Sequence, residues 1–103
     1  MSASSRRKGS TGELELAHIL NDRLGLDVRR TPNSGGLMIP ADIIGHEGFS
    51  WEVKRQENIS IWRCLDQARA QAAEGETPVL AFRRNRSPWF VALSLDDFLG
   101  LVE

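Results

Sequence analysis

Residues 49–84 set the first constraint on the fold. "FSWEVKR" (49–55) alternates side chains with the two-residue period of a strand. Residues 59–73 then carry Ile61, Leu65, Ala68 and Ala72 at helical spacing, with Gly75 as the stop, and "PVLAFRR" (78–84) is apolar and β-prone again. A strand, a helix and a strand in that order make a crossover connection, so the sheet is expected to contain parallel pairing. Other segments arrange themselves around this unit. Ser10 or Thr11 is suited to cap a helix running to Leu24, with Gly25 beyond it. "LDVRRT" (26–31) reads as a strand, "PNSGG" as a loop, and "ADIIG" (41–45) as a short strand turning at His46–Gly48 into 49–55 as a hairpin. "PWFVALS" (88–94) reads as a last strand and Leu95 onward as a short helix. The order α-β-β-β-α-β-β-α describes an α/β chain with a single mixed β-sheet of about five strands flanked by helices.

At 103 residues the chain is expected to form one domain, residues 11–103, preceded by a disordered basic tail at 1–10, which is small, polar and cationic. The formal charge of −1 argues against a wholly electrostatic binder. Its distribution matters more: Arg6, Arg7 and Lys8, then Arg29 and Arg30, then Arg83, Arg84 and Arg86 form local basic knots, which suit contact with a polyanion at one face. Cys64 is alone, so neither an intramolecular disulfide nor zinc-finger spacing is available. The first residues have charge without an apolar core, and no apolar stretch approaches membrane-spanning length. The expectation is a cytoplasmic protein with no membrane partner.

Charge falls where a core would not want it. Glu52 and Lys54 share one strand face roughly 6.5–7 Å apart, opposite Trp51 and Val53, and Asp42 opens the adjacent hairpin strand. On the first helix Glu13 lies at the centre of the apolar stripe of Leu16, Ala17, Leu20 and Leu24, whereas Glu15 and Asp22 point the other way. If Asp42 and Glu52 meet, one takes a proton unless a cation lies between them. Hard oxygen ligands suit Mg²⁺ or Mn²⁺, and a neighbouring ammonium can help ready an attacking water. Those parts serve phosphodiester hydrolysis. The structural alternative is a Glu52–Lys54 salt bridge with Asp42 capping a turn; Glu-x-Lys alone is weak evidence. His18 and His46 read as surface residues, Trp51 as core, and Trp62 and Trp89 as core or interface.

"PADII…WEVK" resembles the signature of the PD-(D/E)xK nuclease superfamily, with Ala41 inserted between the proline and the aspartate. "RKGSTGELELAHIL" resembles the first helix of archaeal-type Holliday junction resolvases, and "RRTPNSGG…ADI" with "PVLAFRRNRSPWFVALSLDDFL" resembles small phage PD-(D/E)xK endonucleases. The resemblance spans residues 7–101 and implies a restriction-endonuclease-like core. It implies that Asp42 and Glu52 hold Mg²⁺ (Mn²⁺ as substitute) with the carbonyl of Val53, that Glu13 completes the site, and that Lys54 acts on the water. Gln67 matches a glutamine that related nucleases carry on the following helix, although it lies at the edge of the apolar stripe. Ser34 matches a loop serine near the scissile phosphate in the resolvases; a turn serine is the plainer reading. Arg6, Arg7, Lys8, Arg29 and Arg30 are candidate DNA phosphate contacts. The function implied is a metal-dependent DNA endonuclease, with branched DNA among its substrates, in the cytoplasm of a phage's bacterial host. Resemblance also implies a homodimer, for which Trp89, Phe90, Phe98 and Leu99 offer apolar surface. The rivals are a nicking or flap-type nuclease, and a non-catalytic DNA-binding or phage-assembly protein that retains the fold.

Overall fold

A computed structural model describes residues 3–31 and 42–103, with backbone alone for residues 3–10. Its elements are α1 (Ala3–Leu24), β1 (Arg29–Arg30), β2 (Ile43–Ile44), β3 (Phe49–Arg55), α2 (Ile61–Gln71), β4 (Thr77–Arg83), β5 (Phe90–Ala92) and α3 (Leu95–Val102). The five strands form one sheet in the order β1-β2-β3-β4-β5. Among the described residues only β3 and β4 pair in parallel, with α2 as the crossover between them. The element order and the parallel pair are those expected from the sequence.

Alternation along β3 divides the molecule into layers. Trp51 and Val53 point to one face and meet Leu16, Ala17 and Leu20 of α1, together with Val28, Ile43, Val79 and Ala81. Ser50 and Glu52 point to the other face, where α2 lies over β3 and β4 and buries Cys64 and Ala68. The stripe of α2 is therefore centred one residue before Leu65: Ile61, Leu65 and Ala72 are only half-buried.

Several boundaries differ from the sequence expectation. Helix α1 starts at Ala3 rather than at Ser10 or Thr11, through a stretch that holds no proline and in which Ala3, Arg6, Arg7 and Lys8 favour helix against Ser4, Ser5, Gly9 and Ser10. Strand β1 shrinks to two residues because Asn21 takes the backbone of Val28: its side-chain amide donates to the Val28 carbonyl (3.1 Å) and accepts from the Val28 N–H (2.7 Å). Leu24, expected in the inner stripe, is 56% exposed. Glu15, expected to point outward, is half-buried, where its carboxylate accepts from the Arg83 guanidinium and from Trp89 Nε1–H at 2.8 Å. Trp89 is thereby tied to α1 instead of standing free as interface surface. His46 is no bare surface residue either: its Nδ1 accepts from Trp51 Nε1–H (3.0 Å) and its ring stacks on Phe49. Burial pushes its pKa down, consistent with a neutral ring in that contact. Trp62 is 80% exposed, which rules out a core role.

Candidate active site

The site forms where β2 and β3 part. Ile43 pairs with Trp51, so the next step of the antiparallel ladder sets Asp42 opposite Glu52. The backbone of Asp42 is held on both sides: its N–H donates to the Trp51 carbonyl (3.1 Å) and its carbonyl accepts from the Thr31 N–H (3.0 Å). Its side chain folds over the strand end, where Oδ2 accepts from the Val53 N–H at 2.8 Å. The carbonyl of a strand residue points to the same edge as its N–H, so Val53 offers an oxygen on the edge that Asp42 occupies.

Glu52 is 2% exposed. Loss of hydration, then the charge of Asp42, push its pKa up from 4.5 to about 7, against the pull of Lys54. The Lys54 ammonium lies 3.7 Å from Glu52 Oε1, and the Glu52 carboxyl is hydrogen-bonded to that of Asp42. Burial likewise raises the pKa of Asp42, opposed by the Val53 N–H and by Lys54. Glu13 reaches the same region from α1. Burial and then Asp42 raise its pKa, while Arg30, whose Nε donates to Glu13 Oε2 at 3.3 Å, opposes the rise.

Three carboxyl groups thus face two cations in a poorly hydrated place, and all three acids hold protons more tightly than they would in water. Among the described residues no three His, Cys, Asp or Glu side chains close into a metal cage. Asp42, Glu52 and the Val53 carbonyl are instead a partial set of hard oxygens, the kind Mg²⁺ takes when it keeps several waters.

Of the remaining sequence candidates, Gln67 and Arg29 stand outside this group. Gln67 is exposed on α2 and joins none of these contacts. Arg29 is exposed, with only a loose pair to Asp27 at 3.9 Å. Arg30 is engaged by Glu13. Ser34 falls outside the described residues, as do the side chains of Arg6, Arg7 and Lys8. Sequence reasoning missed the anchoring of Asp42 by the Val53 amide and the pairing of Arg30 with Glu13. Neither carries a signal in the sequence, because residues this far apart meet only through the sheet.

Residues 4–102 match the model of a family described as "Phage putative PDDEXK endonuclease". The chain belongs to this family. "Protein D14" of Escherichia phage T5 is 32% identical over 120 aligned positions, which cover 94% of this chain and 75% of that protein. The structure is similar to that of Archaeoglobus fulgidus Hjc, a Holliday junction resolvase from an archaeal hyperthermophile, with a TM-score of 0.60 over 82% of this chain and 76% of the other, at 21% identity. That likeness establishes the restriction-endonuclease-like fold. Within this phage PDDEXK endonuclease family, the hairpin end at Asp42 and Glu52 is the natural candidate for the active site.

Proposed function

We propose that this chain is a divalent-metal-dependent DNA endonuclease whose centre is Asp42, Glu52 and Lys54. The observation that carries the reading is the facing pair Asp42–Glu52, with Glu52 almost fully buried and its pKa raised to about 7. A buried pair of acids is stable with a shared proton or with a cation, and the oxygen set favours Mg²⁺, with Mn²⁺ as a substitute. Asp42, Glu52 and the Val53 carbonyl would hold the ion. When bound, it supplies a Lewis acid for the phosphate and favours a hydroxide nucleophile at neutral pH.

The chain's own groups have separate tasks. The Val53 N–H fixes the rotamer of Asp42, so that carboxylate is aimed before any ligand arrives. Lys54, 3.7 Å from Glu52, offers an ammonium to orient the attacking water and to offset charge growing on the phosphate. Glu13 adds a further acid from α1, held by Arg30. The likeness to a junction resolvase and the sequence resemblance together favour branched DNA as substrate.

A homodimer fits the same reading. Helix α3 buries no side chain: Leu95 is 70% exposed, and Phe98, Leu99, Leu101 and Val102 are exposed as well. Such an apolar face on a small soluble domain is suited to a second copy. The setting proposed is the cytoplasm of a phage-infected cell.

The test is cleavage of four-way, flapped, forked and linear DNAs in Mg²⁺, Mn²⁺ or EDTA. Cleavage is expected only with metal, and Asp42→Ala or Glu52→Ala should abolish it while DNA binding persists. Undiminished cleavage by either variant rejects the assignment.

A further inference from the structure

Lys54 begins a row of side chains that runs away from the site. It is the register partner of Phe82 on β4, and Phe82 is the partner of Phe90 on β5. Register partners share a sheet face, so the two phenylalanines lie on the face that carries Glu52 and Lys54. Their rings are 5.9 Å apart at 28°, and Phe90 remains 53% exposed. They floor a groove of about 780 Å³ walled by Ile59 and Ile61 at the start of α2 and rimmed by Arg84 and Arg86. That volume is in the range of pockets that hold organic ligands.

The rim is a hydrogen-bonded, cationic turn. Ser87 ties the turn at Arg84: its Oγ accepts from the Arg84 N–H (3.1 Å) and donates to the Arg84 carbonyl (3.0 Å). Arg86 takes the left-handed conformation with φ of 61°. Arg83 is committed to Glu15, and the acid of the lining, Glu57, accepts from the Asn85 N–H at 3.0 Å. Among the described residues neither Arg84 nor Arg86 forms an ion pair.

We propose that this groove takes an unpaired nucleotide of the DNA substrate, next to the strand position that Lys54 serves. The base would lie on the Phe82–Phe90 floor and the flanking phosphates would meet Arg84 and Arg86. Ring faces are unavailable inside a stacked duplex, so aromatic floors of this kind select bases already splayed out. The inference rests on the nuclease reading and deepens it: the preferred substrate carries unpaired nucleotides beside the cut, as forks, flaps and junctions with unpaired crossover bases do, and continuous duplex lacks the feature.

Binding in EDTA separates this idea from the nuclease assignment, because no cleavage is needed. Fluorescence anisotropy of the full chain is measured on a forked DNA and on a blunt duplex of the same paired sequence. A preference of about tenfold or more for the fork is expected, from stacking of a single base. Phe90→Ser should reduce that preference several-fold while leaving the affinity for blunt duplex nearly unchanged, and Arg84→Ala should weaken binding to the fork several-fold more than binding to the duplex. A 2-aminopurine at the first unpaired position should change emission on binding wild-type protein and not Phe90→Ser. Arg84 sits on an exposed turn, so its variant keeps the test valid if Phe90→Ser unfolds. Equal wild-type affinity for the two DNAs, or a fork preference undiminished in both variants, overturns the groove. Absence of metal-dependent cleavage alongside an intact, variant-sensitive fork preference would overturn only the nuclease reading.

Discussion

Glu52 shows what the site costs the fold. Its carboxyl is buried and beside Asp42, so its pKa rises from 4.5 to about 7. A raised folded-state pKa means that the native chain holds a proton the unfolded chain releases. The associated stability is fully present below about pH 4.5 and is lost as pH rises through 7. The shift corresponds to about 3 kcal/mol, and the raised pKa values of Asp42 and Glu13 act in the same direction. Urea unfolding in EDTA should therefore give a stability that declines between pH 5 and pH 8. Glu52→Gln should flatten that decline and be the more stable protein at pH 8; an unchanged slope would show that Glu52 is ionised in the free chain. Added Mg²⁺ or Mn²⁺ should raise the melting temperature of wild type at pH 8 and leave the glutamine variant nearly unmoved. Lys54→Ala separates chemistry from ligand binding: turnover should fall about 100-fold, the usual scale for losing a proton-handling group, with the metal-concentration midpoint unchanged. A midpoint that shifts as much as the rate would make Lys54 a structural partner of Glu52.

At the scale of elements, two glycines set the spacing around the site. A Cβ on Gly12 would sit 2.9 Å from the Arg55 Cβ, so α1 and β3 touch there without a side chain between them. Gly12 precedes Glu13 and Arg55 follows Lys54, so this contact determines how far the helix acid stands from the strand. Gly12→Ala should lift α1 from β3, cost about 1–3 kcal/mol by overpacking, and lower cleavage in the fraction that remains folded. Gly45 follows β2 at φ +107°, and a Cβ there would meet the Asp27 carbonyl at 2.7 Å. Gly45→Ala should cost about 2–3 kcal/mol in denaturant unfolding, from the strained backbone and the clash together. A loss below 0.5 kcal/mol, the ~0.5 kcal/mol scale of neutral surface changes, would mean that β2 can shift and that Asp42 is less firmly placed than its two backbone hydrogen bonds and one side-chain hydrogen bond suggest.

For the whole molecule, the exposed face of α3 is the feature to explain. Ser94 caps the helix, its Oγ accepting from the Asp97 N–H at 3.0 Å, and Asp96 and Asp97 complement the helix N-terminus, so the helix is locally well specified yet buries nothing. Helices in this state usually owe their stability to a packed apolar face. Sedimentation of wild type at tens of micromolar should give a dimer, and Leu99→Asp should shift it towards monomer. A monomeric wild type would remove the second copy as the cover for α3.

The sequence by itself determined the element order and the β3–β4 crossover, and it singled out Asp42, Glu52 and Lys54 as the candidates that the sheet brings together. These are local properties: a two-residue or 3.6-residue period, a turn signal, and charge on the wrong face of a strand. Tertiary structure alone decided the rest. Glu15, outward on a helical wheel, became a half-buried partner of Arg83 and Trp89, because the wheel knows nothing of the strand opposite. Residue 28 left the sheet because an asparagine on α1 offered its backbone a better pair. The raised pKa of Glu52 and the row from Lys54 to Phe90 likewise required the register, which juxtaposes residues from separate strands only once the chain has closed.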